Sequence, residues 1–171
     1  MSAAAPWPIN SDMSLLSVFE TLSNWAPIVF VRDSKYGMPG IESVHLTGLT
    51  VLLATVLVLD LRLAGFGMKE YELSWLARQL KPWTLGALTV VISSGLLIFL
   101  GTPGKYVASD PFRFKMCLLC LAILFHFSVL RRFTSAGSNA RPRTVNVIVA
   151  CLSLTFWFGV GWAGRAIAFV P

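Results

Sequence analysis

The sequence predicts an all-α protein, a four-helix transmembrane bundle with an N-terminal amphipathic surface helix. Three observations predict it. Of the 171 residues, 56% are hydrophobic and only 13% charged, about half the charged fraction of a soluble domain. The charges cluster between long apolar runs. Four of those runs match the length of about 20 residues that crosses a bilayer as helix.

The elements follow in order. Residues 1–12 are polar and Pro-rich and read as a loosely ordered tail. Residues 13–31 carry Leu15, Leu16, Phe19, Leu22 and Trp25 at helical spacing, after the capping candidates Ser11, Asp12 and Ser14. Pro27 interrupts the run, which reads as a helix lying at the membrane surface. The first span is expected over 41–63, with Asp60 and Arg62 at its far end and Gly65-Phe-Gly67 terminating it. Residues 69–80 form a short amphipathic stretch at the opposite surface. The second span is expected over 82–100, opened by Pro82 and Trp83. Its Gly86, Ser93, Ser94 and Gly95 offer small faces for close helix approach. The third is expected over 111–130, capped by Asp110-Pro111 and closed by Arg131-Arg132. The fourth, over 145–169, holds Gly159, Gly161, Gly164 and Arg165.

Charge sets the expected orientation. Arg62, Lys69, Arg78, Lys81, Arg131, Arg132, Arg141 and Arg143 make eight cations on one side, against six on the other. The positive-inside rule then puts both termini outside the cytoplasm. The +6 net charge is explained by these loops. No basic patch interleaved with aromatics appears, so nucleic-acid binding is not indicated. The first thirteen residues have neither a basic n-region nor an apolar h-region, so no cleavable signal peptide is expected and the first span serves for insertion. Cys117, Cys120 and Cys151 all fall inside spans, which speaks against a disulfide framework.

Ionisable groups at membrane depth are costly and are functional candidates by default. Glu42, His45, Lys115, Met116 and Arg165 fall at the outer level. Asp60 and Arg62 fall at the inner level, with His126 past the middle of the third span. Glu42 and His45 form a Glu-x-x-His pair on one helix face. Di-iron bundles use two such pairs plus two further glutamates, and those are missing. The plainer reading is that Glu42 orients His45 and pairs with Arg165 or Lys115.

His45 and His126 are candidate axial ligands of a b-type haem, since helical bundles hold haem between histidines. Depth opposes a shared iron, because the two differ by roughly 15 Å along parallel helices at 1.5 Å per residue. A His45/Met116 haem is level. The alternative is that both histidines only hydrogen-bond helix to helix. Met116, Cys117 and Cys120 are soft groups of the kind that suit Cu(I), though each is also ordinary packing material. A proton relay between Asp60 and His126 is a further reading. No nucleotide loop, Ser/His/Asp set or zinc spacing is present.

Several motifs carry a family resemblance. They are Arg32-Asp-Ser-Lys-Tyr36, Glu42-Ser-Val-His45, Asp60-Leu-Arg-Leu63 with Gly65, Leu80-Lys-Pro-Trp83, Pro111-Phe-Arg-Phe-Lys115, His126 and Gly164-Arg-Ala-Ile-Ala168. Over about residues 14–170 the chain resembles an uncharacterised bacterial family of small four-span inner-membrane proteins, a domain of unknown function. The resemblance implies four helices, and it implies that Glu42, His45, Asp60, Arg62, Lys115 and Arg165 belong to a family pattern. The family brings no activity with it. The expected function is a membrane electron-transfer subunit holding haem b and passing electrons between a periplasmic partner and quinone, with Glu42 and Arg165 beside the haem ligands. The competing expectation is a non-catalytic scaffold or accessory subunit, binding other membrane subunits or further copies of itself.

Overall fold

The computed structural model describes residues 12–68, 70–135 and 141–167, and among them every regular element is helical. Residues 1–11, where a loose tail is expected, lie outside this set. Helices α1 (Asp12–Ser23) and α2 (Ala26–Asp33) lead into α3 (Gly37–Leu63), α4 (Leu73–Gly101) and the short α5 (Pro103–Val107). Helix α6 (Asp110–Phe125) passes through a wide turn at His126–Leu130 into α7 (Arg131–Ser135), and α8 (Arg143–Ala166) closes the chain. Four helical stretches are long and apolar enough to cross a membrane: Gly37–Leu63, Leu73–Gly101, Asp110–Phe133 and Arg143–Ala166.

The expected surface helix over 13–31 is two helices. The chain breaks at Asn24 and Trp25, and Pro27 sits in the first turn of α2, where its missing N–H has no helical partner to lose. Ile28 is buried, and Phe19 meets Phe99 edge-on at 5.1 Å, so this segment is tied to the end of α4.

Helix α3 starts four residues before the expected 41 and stops at Leu63 as expected. Its end is a Schellman cap. The Phe66 N–H donates to the Leu61 carbonyl (2.8 Å), the Gly65 N–H donates to Arg62 (3.1 Å), and Gly65 takes φ +86°. The Arg62 guanidinium then donates twice to the Tyr71 carbonyl, at 2.8 and 3.1 Å, and fixes the loop into α4.

Helix α4 takes in residues 73–80 of the separate stretch expected at 69–80 and continues through Pro82. Proline there frees the Arg78 carbonyl and would ordinarily break a helix. This turn lies at the edge of the span, where water can take the carbonyl. Leu73 and Leu76, before the proline, are both buried, and Leu73 packs with Leu59, Leu63, Ala64, Val149 and Ala150. Packing on both sides of Pro82 outweighs the local preference.

Helices α3 and α4 pack along their length, as do α6 and α8, and α3 joins the two pairs through α8. Helices α4 and α6 barely touch, whereas α4 does meet α7. The central layer is Leu52, Val56, Ala87, Leu88, Val91, Ala122, Trp157 and Val160. Trp157, Leu52 and Val56 are almost fully enclosed. Lipid tails are as apolar as these side chains, so their contribution is close packing. Polar bonds add to it: Thr84 donates to Thr55 at 3.1 Å across the α3/α4 contact, an interaction that averages about 0.6 kcal/mol within a membrane.

Candidate functional site

The central apolar layer separates two polar layers, and each holds one histidine. In the first layer His45 projects from α3 onto α4. Its Nδ1 lies 2.9 Å from Ser94 Oγ. Ser94 Oγ in turn donates to the Val90 carbonyl at 2.5 Å. The ring fits because residue 95 is glycine: a Cβ there would lie 3.2 Å from His45 Cε1. Lys115, from α6, completes the layer. Its amine sits against Gly164, 3.2 Å from where a Cβ would be, and its charge reaches His45.

The other expected members of this outer group are more dispersed. Met116, one residue from Lys115, turns outward and is 41% exposed, so the structure does not assemble a His45/Met116 pair. Cys117, Cys120 and Cys151 are exposed as well. Glu42 is exposed on the first turns of α3 and acts electrostatically on Tyr106. The Tyr106 phenol, on α5 outside the spans, is pushed above its ordinary range first by burial and then by the Glu42 charge. Arg165 is exposed near the end of α8 and has an interaction of its own. Among the described residues no three His, Cys, Asp or Glu side chains converge on one point.

The second polar layer lies toward the basic loops. Asp60 is fully buried and faces Ser153 on α8, itself 1% exposed. The two sit close without closing a well-aligned hydrogen bond, and both carboxyl oxygens and Ser153 Oγ are otherwise unpartnered among the described residues. His126 opens the wide turn. There the Arg131 N–H donates to the His126 carbonyl five residues back, a π-type widening often found at functional sites. The ring packs edge-on against Phe127 and Trp157, with centroids at 5.2 and 6.2 Å. Its Nδ1 is buried without a hydrogen-bond partner among the described residues.

His126 lies on the wall of a cavity of about 430 Å³ between α4 and the wide turn with the start of α7, with Leu59 of α3 beside it. Leu59, Ala77, Leu80, Leu85 and Phe127 line it with apolar surface, and Thr84 and Ser74 add hydroxyls. Arg78, Lys81 and Arg131 complete the lining. The size falls within the range of small-molecule sites, about 300–1,000 Å³.

The two histidines are therefore not brought together. His45 is level with Lys115, and on α6 eleven residues separate Lys115 from His126, about 16 Å of rise. A shared metal requires both rings within about 2 Å bonding distance of one atom. Sequence reasoning also gave no sign of the cavity. Arg78 and Lys81 read only as topology charges, and no residue pattern announces the wide turn. Their i,i+3 spacing beside Pro82 is the one available signal that they share a face.

The fold and these layers define an integral, multi-pass membrane protein with a ligand-sized cleft between two of its spans. The chain belongs to a family of unknown function, DUF6644, which it matches over residues 28–170. No curated protein and no solved structure matches it.

Proposed function

We propose that this protein is a membrane electron-transfer subunit that holds one b-type haem in the cavity beside His126, exchanging electrons with a partner at the opposite face and with quinone in the bilayer. The observation that carries this reading is the His126 ring. Its Nδ1 is buried and has no hydrogen-bond partner among the described residues, and the ring borders a cavity with largely apolar lining. Buried polar atoms are nearly always satisfied, so one left open beside a cavity suggests a missing partner. Imidazole is a common axial ligand of haem iron, and apolar surroundings and burial set the potential. Haem supplies one-electron chemistry. The protein's own part is to present the His126 ring from the widened turn, hold it against Trp157 and Phe127, and keep Leu59, Leu80 and Leu85 around the ligand.

His45 has a different task in this reading. Its hydrogen bond to Ser94 and its seat on Gly95 join α3 to α4, and Lys115 ties α6 to the same level. The test is an absorption spectrum of the purified protein, oxidised and then reduced. Soret and α bands are expected. A colourless preparation reconstituted with excess haem sinks the haem reading.

One observation favours the accessory-subunit reading in that event. Only 6% of the most apolar stretch of the α6 span is buried, against 33–39% in the other three spans. A helix with so much free surface is available to a neighbouring membrane subunit.

A further inference from the structure

The cavity beside His126 has a mixed lining. Beside its apolar side chains stand the exposed cations Arg78 and Lys81 of α4, with Arg131, which has an interaction of its own, next to them. Arg78 and Lys81 stand one turn apart on α4, both exposed. No Asp or Glu lines the cavity, and among the described residues neither Arg78 nor Lys81 forms an ion pair. Like charges held on one turn repel each other, and an anion placed between them relieves that repulsion. A guanidinium fork matches a carboxylate or phosphate in two-point geometry, and an ammonium adds a point charge. Basic pockets between membrane helices near the aqueous edge suit acidic head groups. A neutral quinone would use the walls of this cavity and leave Arg78 and Lys81 unanswered.

We infer that the occupant of the cavity is an anionic amphiphile, its apolar body against Leu59, Leu85 and Phe127 and its acidic end clamped by Arg78 and Lys81 at the membrane edge. The inference rests on the cavity used by the haem reading, and not on iron. Two sources carry the required chemistry: the paired carboxylates of a haem-type tetrapyrrole and the phosphate of an anionic phospholipid. The clamp fixes orientation, because the acidic end faces the basic loops whichever source fills the site.

The experiment compares iron-free protoporphyrin IX with its dimethyl ester, which has the same ring and no carboxylates. Binding is followed by energy transfer from the protein's tryptophans, with the full chain in zwitterionic nanodiscs. The free acid is expected to bind the unsubstituted protein about tenfold more tightly than the ester, the value of one charge-assisted contact. R78Q/K81Q removes that difference, and H126A leaves it intact because no iron is present. Should R78Q/K81Q not fold, added salt on the unsubstituted protein reads the same effect, weakening the acid and sparing the ester. A second arm measures retained lipid by native mass spectrometry. Phosphatidylglycerol held in preference to phosphatidylcholine, with the preference lost in R78Q/K81Q, makes the phospholipid the source and still supports the clamp. Acid and ester binding equally, together with no preference for the anionic lipid, overturns the inference. A colourless protein that prefers the free acid rejects the haem reading and keeps this one.

Discussion

His45 and His126 are the only histidines in the chain, and the bundle treats them in opposite ways. His45 is bonded to Ser94, seated on a glycine and flanked by Lys115. His126 has a buried Nδ1 without a hydrogen-bond partner among the described residues, is set on a widened turn and borders a cavity. A histidine whose hydrogen bonds are met by neighbouring helices has been spent on packing. One whose ring is left open at membrane depth is available for a ligand. Residue type marked both as candidates, and only their surroundings separate the roles.

The Trp157 layer stands between the two sites, so its loss should damage both. Trp157 is 2% exposed and touches His126. W157A should lower stability by about 3–5 kcal/mol, as for a large buried aromatic. Thermal unfolding in detergent measures this, and a loss under about 1 kcal/mol would mean the layer does not hold the halves together.

A glycine pair sharpens the contrast at the His45 end. Gly95 supports the imidazole, whereas a Cβ at Gly86 would meet nothing within 4 Å. G95V should cost about 1–3 kcal/mol through overpacking, and G86V much less. Equal effects in the same unfolding assay would deny that the ring depends on Gly95. Next in size is S94A, which leaves His45 Nδ1 without its hydroxyl partner. About 1 kcal/mol is expected, with no change in any ligand spectrum, since Ser94 lies in the layer away from the cavity. A spectral change would couple the two layers.

The smallest effect concerns Tyr106. Burial and the Glu42 charge both disfavour its phenolate, so both push its ionisation upward in pH. E42Q removes only the second cause. In a Y36F/Y71F background, where Tyr106 is the remaining tyrosine, ultraviolet titration should show E42Q ionising at lower pH than its parent. No change would mean that the Glu42 carboxylate does not reach Tyr106.

The architecture was largely written in the chain. Apolar runs and their Gly, Pro and Arg boundaries located four spans, and Gly65 in particular required the cap that ends α3. Pro82 misled, because a local rule about proline cannot weigh the packing of Leu73 and Leu76 on its other side. The site was less legible. Glu42 and His45 advertised themselves by spacing, yet Glu42 is exposed and His45 is absorbed by Ser94. The cavity at His126 arises where α4 passes the wide turn and the start of α7. That is a property of helix placement, with no counterpart in the composition of either helix. Asp60 was legible as an intramembrane acid, but its partner Ser153 looked like any small residue of a span.

The two histidines are best told apart by one set of spectra. The unsubstituted protein, H45A and H126A are purified, supplied with haem and scanned oxidised and reduced. A Soret band is expected in the unsubstituted protein and in H45A and is expected to be lost in H126A. A band that survives in H126A and disappears in H45A would contradict the assignment of His126 as the ligand and return the cofactor to the opposite layer.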